Sequence, residues 1–162
     1  MKIKSFMTMM VAAAIVVLGV SSCGSDDDEP EVAVATQVAG SYTGNEVIVV
    51  MGEESSNTTT TYEFVKATDV TLDLNIPQSG EGAMTVPALA IKSIPLTKNG
   101  NTITGKVASY TSSVINASGV EKAYTINDLT VVFTDKAAAL TFSLKYGNMP
   151  FAFATTFTGT KK

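Results

Sequence analysis

The chain has no histidine, no arginine and no tryptophan, and it carries a single cysteine. Each absence closes a class of chemistry. Without His there is no side chain that titrates near neutrality in its ordinary state, which removes the commonest general base and the commonest metal ligand. Without Arg there is no bidentate fork for phosphates and carboxylates. A His-based triad, a His/Cys zinc site and Arg-mediated phosphate recognition are excluded on these grounds. No nucleophile, base and orienting group can be named together, so the chain is expected not to be an enzyme. Neither a cofactor nor a metal is expected. A length of 162 residues bounds the chain to one domain, or a small domain with a leader.

The lone cysteine, Cys23, ends a leader with a recognisable grammar. Lys2 and Lys4 precede an apolar stretch from Met9 to Val20, too short to span a bilayer comfortably, and small residues follow. This reads as a secretory signal. A buried N-terminal helix fits poorly, because nothing caps its end and an acidic run follows at once. The residues Val20-Ser21-Ser22-Cys23 resemble the lipobox of bacterial lipoproteins. The resemblance implies that Cys23 becomes the first residue of the mature protein and carries a diacylglyceryl thioether and an N-acyl chain. One acyl chain holds a protein only marginally, whereas two or more anchor it stably at about 0.8 kcal/mol per buried methylene. The thiol is then a membrane anchor. Left free, it would face an oxidising compartment unpaired.

The run "GSDDDEPE" after Cys23 has two readings. A block of like charges beside a lipid anchor is a solvated, self-repelling tether. It also resembles the acidic export signal of surface-exposed lipoproteins of the Bacteroidales, which implies an outer-membrane lipoprotein displayed on the cell surface. Both can hold. Without the leader the chain has nine Lys against fifteen acids, a net of −6, and Asp26, Asp27, Asp28, Glu29 and Glu31 carry five of those charges. The remaining body is nearly neutral at −1. A near-neutral body without Arg does not fit nucleic acid.

The body, from Val38 on, reads as β structure. In "VTLDLNI" Val70, Leu72, Leu74 and Ile76 alternate with Thr71, Asp73 and Asn75. In "LTFSLKY" Leu140, Phe142, Leu144 and Tyr146 alternate with Thr141, Ser143 and Lys145. Asp69 and Asp73, about 13 Å apart on a strand, read as a solvated face and not as an acid/base pair. Strands are expected near 40–51, 58–66, 69–76, 84–97, 101–110, 120–134, 138–147 and 149–160. "KNGN" at 98–101 is a hairpin signal, "TDKA" and "YGNMP" are further turns, and "PQSGEG" is a loop. "NDL" at 127–129 breaks the alternation, which suggests a bulge that turns Asp128 inward. The expected organisation is a signal peptide over 1–22, a lipidated Cys and acidic tether over 23–37, and an all-β domain over 38–162.

About eight antiparallel strands argue for an up-and-down barrel or a two-sheet sandwich. "AGSYTGN" opens the body and "TTFTGTK" closes it, and pairing of these similar strands would close the sheet and remove both edges. Here the chain resembles the calycin-like (lipocalin-like) β-barrel domain of Bacteroidales lipoproteins. The likeness lies in Ala39–Gly44, in "VPALAIKSIPLTKNGNTITG" and in "INDLTVVFT". It implies an eight-stranded antiparallel up-and-down barrel and carries no catalytic motif.

Two functions from different classes follow. In the first, the barrel binds a small apolar or amphipathic ligand, with Phe142, Tyr146, Met149, Phe151 and Asp128 as candidate ligand-binding residues. In the second, the barrel is filled and the protein is an interaction or inhibitory accessory lipoprotein. It would then act through the loops Met51–Asn57 and Ile76–Ala83, since inhibitors occur among calycins. The expected partners are the membrane through Cys23 and either a small apolar ligand or a protein.

Overall fold

The alternation of apolar and polar residues along each segment is what commits it to a strand, because a pleated strand sends successive side chains to opposite faces. A computed structural model of the protein describes residues 31–162, so Cys23 and the acids Asp26 to Glu29 lie outside the described residues. Eight strands run β1 Gly40–Val50, β2 Glu53–Lys66, β3 Thr71–Ile76, β4 Leu89–Asn99, β5 Thr102–Ile115, β6 Glu121–Thr134, β7 Ala137–Tyr146 and β8 Phe153–Lys161. Each pairs antiparallel with the next, and β8 returns to β1, giving a closed up-and-down barrel. The alternative of two packed sheets is thereby set aside.

The two terminal motifs meet across the closing seam, with Gly44 opposite Gly159 and Glu46 opposite Phe157. Closure leaves no edge strand among the described residues. In β7 the residues Ala138, Leu140, Phe142, Leu144 and Tyr146 are buried, while Ala137, Ala139, Thr141 and Lys145 are exposed. The core is the barrel interior. Tyr42, Phe64 and Phe133 pack on one another with ring centroids 5.0 to 5.5 Å apart, and Tyr62 lies 4.6 Å from Phe157. These are edge and tilted contacts of the kind that add to plain area burial.

The turns follow backbone chemistry. Met51 and Gly52 both take positive φ (53° and 88°) and join β1 to β2 in two residues, the pattern of a tight hairpin. The segment expected as a loop over Met51–Asn57 is therefore a turn followed by strand. In the "KNGN" hairpin it is Gly100 that takes positive φ, at 59°, between paired Asn99 and Thr102.

Several boundaries differ from the sequence reading. β2 begins at Glu53 and not near residue 58, β3 begins at Thr71 and not at residue 69, and β5 runs on to Ile115 and not to residue 110. β4 begins at Leu89 and not near residue 84, because the segment after β3 forms an isolated Ser79–Val86 bridge and a single 3-10 turn, Gly82–Met84. β8 begins at Phe153, so Met149 and Phe151 belong to the β7–β8 loop and do not share a strand face. The folded unit begins at Ala33 and not at Val38. Its helix α1, Val34–Val38, buries Ala35 and Val38 in the core. It is held by Ala35 N–H donating to the Asp69 carbonyl (3.0 Å), by the Tyr42 hydroxyl donating to the Val38 carbonyl (3.0 Å) and by Lys161 Nζ donating to the Gln37 carbonyl (3.2 Å). Ala33–Lys162 thus contains the eight described strands, helix α1 and the core.

Candidate functional site

The barrel has two unlike ends. The end formed by the starts of β1, β3, β5 and β7 receives α1 and the tight turns at Gly100 and Asp135. Beneath α1 the aromatic cluster of Tyr42, Phe64 and Phe133 fills the interior, each ring fully buried. The opposite end carries the long connections after β3, β5 and β7. There the inward residues of β2 become small and polar, with Ser56, Thr58 and Thr60 continuing the inward series of Phe64 and Tyr62. Large side chains stop, and space opens.

The segment between β3 and β4 lies across this end, so that Gln78 and Met84 line two cavities, one on each side. The first, about 780 Å³, is lined by Ile115, Lys122, Tyr146, Met149 and Pro150 among others. The second, about 610 Å³, is lined by Glu46, Ile48, Thr58, Thr60, Val86 and Phe153 among others. Both fall within the size range of small-molecule sites.

The second cavity contains the feature that sequence reading missed. Glu46 is 4% exposed and is the one charged side chain buried among the described residues. The Tyr62 hydroxyl donates a hydrogen bond to its Oε2. Burial pushes the Tyr62 phenol well above its ordinary pKa, and the negative charge of Glu46 and their hydrogen bond push it further in the same direction. Tyr62 is thus fixed as a neutral donor, with its own ring packed on Phe157. A signal existed in the pattern of "SYTGNEVIV": Glu46 has the same parity as Tyr42, Gly44 and Ile48, the inward set.

The residues expected from sequence to bind ligand are dispersed. Tyr146 and Met149 line the first cavity. The Tyr146 side chain is buried, and its hydroxyl makes no hydrogen bond. Phe142 is buried in the core on the β7 face. Phe151 is 45% exposed in the β7–β8 loop. Asp128 is corrected outright. The bulge is there, with the β6–β7 register shifting between Asn127 and Thr130, but Asp128 takes φ 53° and is exposed, while Leu129 enters the core. A bulge inserts one residue, and the apolar neighbour takes the inward position because burying it gains free energy where burying a carboxylate costs it.

Asp69, in the turn between β2 and β3, holds Lys66 at 2.6 Å, and Asp73, on the outer face of β3, holds Lys92 at 2.9 Å. Among the described residues no group of three His, Cys, Asp or Glu side chains is placed to hold a metal ion.

No protein-family model matches the chain, and no curated protein matches it. A solved structure does: a protein from Bacteroides fragilis NCTC 9343 described as a candidate outer membrane protein superposes with a TM-score of 0.64 at 16% identity, over 80% of this chain and 53% of its own. This chain therefore spans about half the length of the solved chain it matches, and the likeness is one of fold.

Proposed function

We propose that the protein is a lipid-anchored, surface-exposed lipoprotein whose barrel holds a small apolar or amphipathic ligand at its open end. The observation that carries the reading is the contrast between the ends: one is covered by α1 and packed with aromatic rings, with a smaller cavity of about 310 Å³ beside Gln37, Gly100 and Asp135, and the other holds two cavities of about 610 and 780 Å³. A lipid anchor suits this reading, because the wall is the wrong way round for a spanning barrel. Outward positions such as Thr61, Glu63, Lys106, Lys145, Thr156 and Thr158 are polar and exposed, whereas a transmembrane barrel turns an apolar band outward. The lipobox at Val20–Cys23 and the acidic run after it supply the anchor and the address in this reading. The candidate outer-membrane description of the Bacteroides fragilis protein agrees with it.

The binding test uses Gly24–Lys162, which retains the whole barrel unit, and a neutral environment-sensitive dye such as Nile red. Saturable binding that is abolished by Thr58→Phe, which fills the second cavity, or by Met149→Trp, which fills the first, supports the reading and says which cavity acts. Absence of binding moves the function to the accessory alternative. One observation favours that alternative: Met51, Met84, Ile115, Val120 and Phe151, all at the open end, are large apolar side chains left exposed, and such a rim suits a protein partner. The anchor is tested separately by metabolic labelling with a palmitate analogue. Cys23→Ala is expected to abolish labelling, and equal labelling of both proteins refutes it.

A further inference from the structure

The second cavity carries more chemical information than its size. Its charged lining residues are Glu46 and Glu81, with no Lys among them. Glu46 is almost fully buried, and the hydrogen bond it receives from Tyr62 reaches only one of its two oxygens by that contact. A carboxylate offers about four acceptor sites, and taking it out of water is costly unless charge or hydrogen bonds compensate. Tyr62 is not part of the lining, so it supports Glu46 from the core side. Around the carboxylate, the hydroxyls of Ser56, Thr58 and Thr60 offer further hydrogen bonds, while Ile48, Val86 and Phe153 supply apolar surface. The first cavity differs: its charged lining residue is Lys122.

We propose that the second cavity is a site for an amphipathic amine, whose protonated ammonium group is held by Glu46 and whose short apolar chain lies on Ile48, Val86 and Phe153. The proposal rests on the ligand-binding reading above and names its chemistry. The ammonium group provides the positive charge and the donors that the lining lacks, in a place where low dielectric strengthens both. Tyr62 positions the carboxylate by locking one oxygen. Glu81, on the loop between β3 and β4, adds a second negative charge at the cavity's edge and favours entry of a cation. An anionic amphiphile of equal length meets two carboxylates and is rejected.

The test is a set of three probes with a common chain, octylammonium, octanoate and octanol, each below its aggregation threshold and titrated calorimetrically into Gly24–Lys162. Octylammonium is expected to bind at least about tenfold more tightly than octanoate, the ratio that one charge-assisted hydrogen bond supplies. Glu46→Gln keeps the shape and removes the charge, and it is expected to erase the preference for ammonium while leaving octanol binding as it was. Glu81→Gln is expected to weaken ammonium binding by a smaller factor. Equal binding of octylammonium and octanoate, or an unchanged octylammonium affinity in Glu46→Gln, overturns the proposal. Octanol binding without charge preference, or failure of all three probes where Nile red still binds, overturns this inference alone, whereas failure of all three probes and of Nile red overturns the ligand-binding reading with it. The probe series on the unaltered protein decides the matter even if a variant fails to fold.

Discussion

Gly44 and Gly159 lie directly opposite each other across the β1–β8 seam that closes the barrel. A Cβ on Gly44 would sit 2.0 Å from the Thr158 carbonyl oxygen, and one on Gly159 would sit 2.4 Å from Cζ of Phe157. The pair of bare backbones lets the strands approach and lets the Phe157 ring lie over the seam, against Tyr62. Gly44→Ala should therefore be unfavourable by about 3 kcal/mol, the upper end of overpacking costs, which corresponds to a fall on the order of 10 °C in Tm for a domain of this size. Gly52→Ala in the first hairpin, where no atom lies within 4 Å, has only backbone strain to meet. Thermal melts followed by circular dichroism compare the two, and equal Tm values would contradict the close-approach account.

The same seam makes the last strand indispensable. Deleting Phe153–Lys162 removes β8 from the pairings on both sides and strips two buried aromatic residues, Phe153 and Phe157, at about 3 to 5 kcal/mol each. That matches the whole stability of a typical domain, about 5 to 15 kcal/mol. The truncated chain is expected to lose its cooperative melt, and a melt retained near the full-length Tm would mark β8 as peripheral.

The Glu46–Tyr62 pair predicts an asymmetry between its partners. Tyr62→Phe leaves a buried carboxylate without its donor, at about 1 to 3 kcal/mol, whereas Glu46→Gln keeps an acceptor for the phenol and should cost less. Urea midpoints at constant m-value measure both, and a larger loss in Glu46→Gln would reverse the assignment of donor and acceptor importance.

Alkaline pH gives a signed test of the same group. The folded Tyr62 phenol titrates above its ordinary value of 10.0, so the folded state binds a proton that the unfolded state releases above that pH. Its stabilising contribution is complete below about pH 10 and declines above it, at about 1.4 kcal/mol per pH unit. Tyr42, raised in the same direction by burial, adds to the slope. In Tyr62→Phe the fall in stability between pH 10 and 11.5 should be shallower by about one proton's worth. An identical slope in both proteins would place the Tyr62 hydroxyl in water.

Strain is stored on the outer wall at Ser93, which takes φ 58° where the β3–β4 register shifts. Asp73 holds it there, accepting the Ser93 N–H at Oδ1 and the Lys92 ammonium at Oδ2, both at 2.9 Å. Burial alone would raise the Asp73 pKa, but the Lys92 hydrogen bond, the Ser93 amide and the Lys92 charge outweigh it and hold the carboxyl below its ordinary value. Its contribution is present above about pH 4 and is lost as pH falls through the lowered pKa. Because the pair lies at the surface, Asp73→Asn should cost no more than about 1 kcal/mol at pH 7, with the difference from wild type shrinking as pH falls through the lowered pKa. Ser93→Gly, which removes the left-handed penalty, should gain about 1 kcal/mol. A loss of stability in Ser93→Gly would show that no strain resides there.

The sequence by itself determined the β class and the number of strands and pointed to closure between the ends, because these depend on period-two alternation and on two matching Tyr-Thr-Gly and Phe-Thr-Gly strands, all local or compositional properties. Leu140, Phe142, Leu144 and Tyr146 went inward as their parity required. Only the tertiary structure decided which end is covered and which is open. The helix Val34–Val38 is too short to announce itself by periodicity and exists through Ala35 and Val38 burying against the barrel. Met149 and Phe151 left the strand because the chain needs six residues, 147 to 152, to turn from β7 into β8. Asp128 turned outward because the bulge's extra position could be filled by either neighbour, and Leu129 gains more from burial. Glu46 carried the inward parity all along, but a lone charge in a strand reads as solvated until the opposite wall is known. It became a buried carboxylate only when Tyr62, sixteen residues away, supplied the donor. Parity is written in one strand at a time, whereas the cost of burying a charge is settled by the partners that the closed barrel brings across from another.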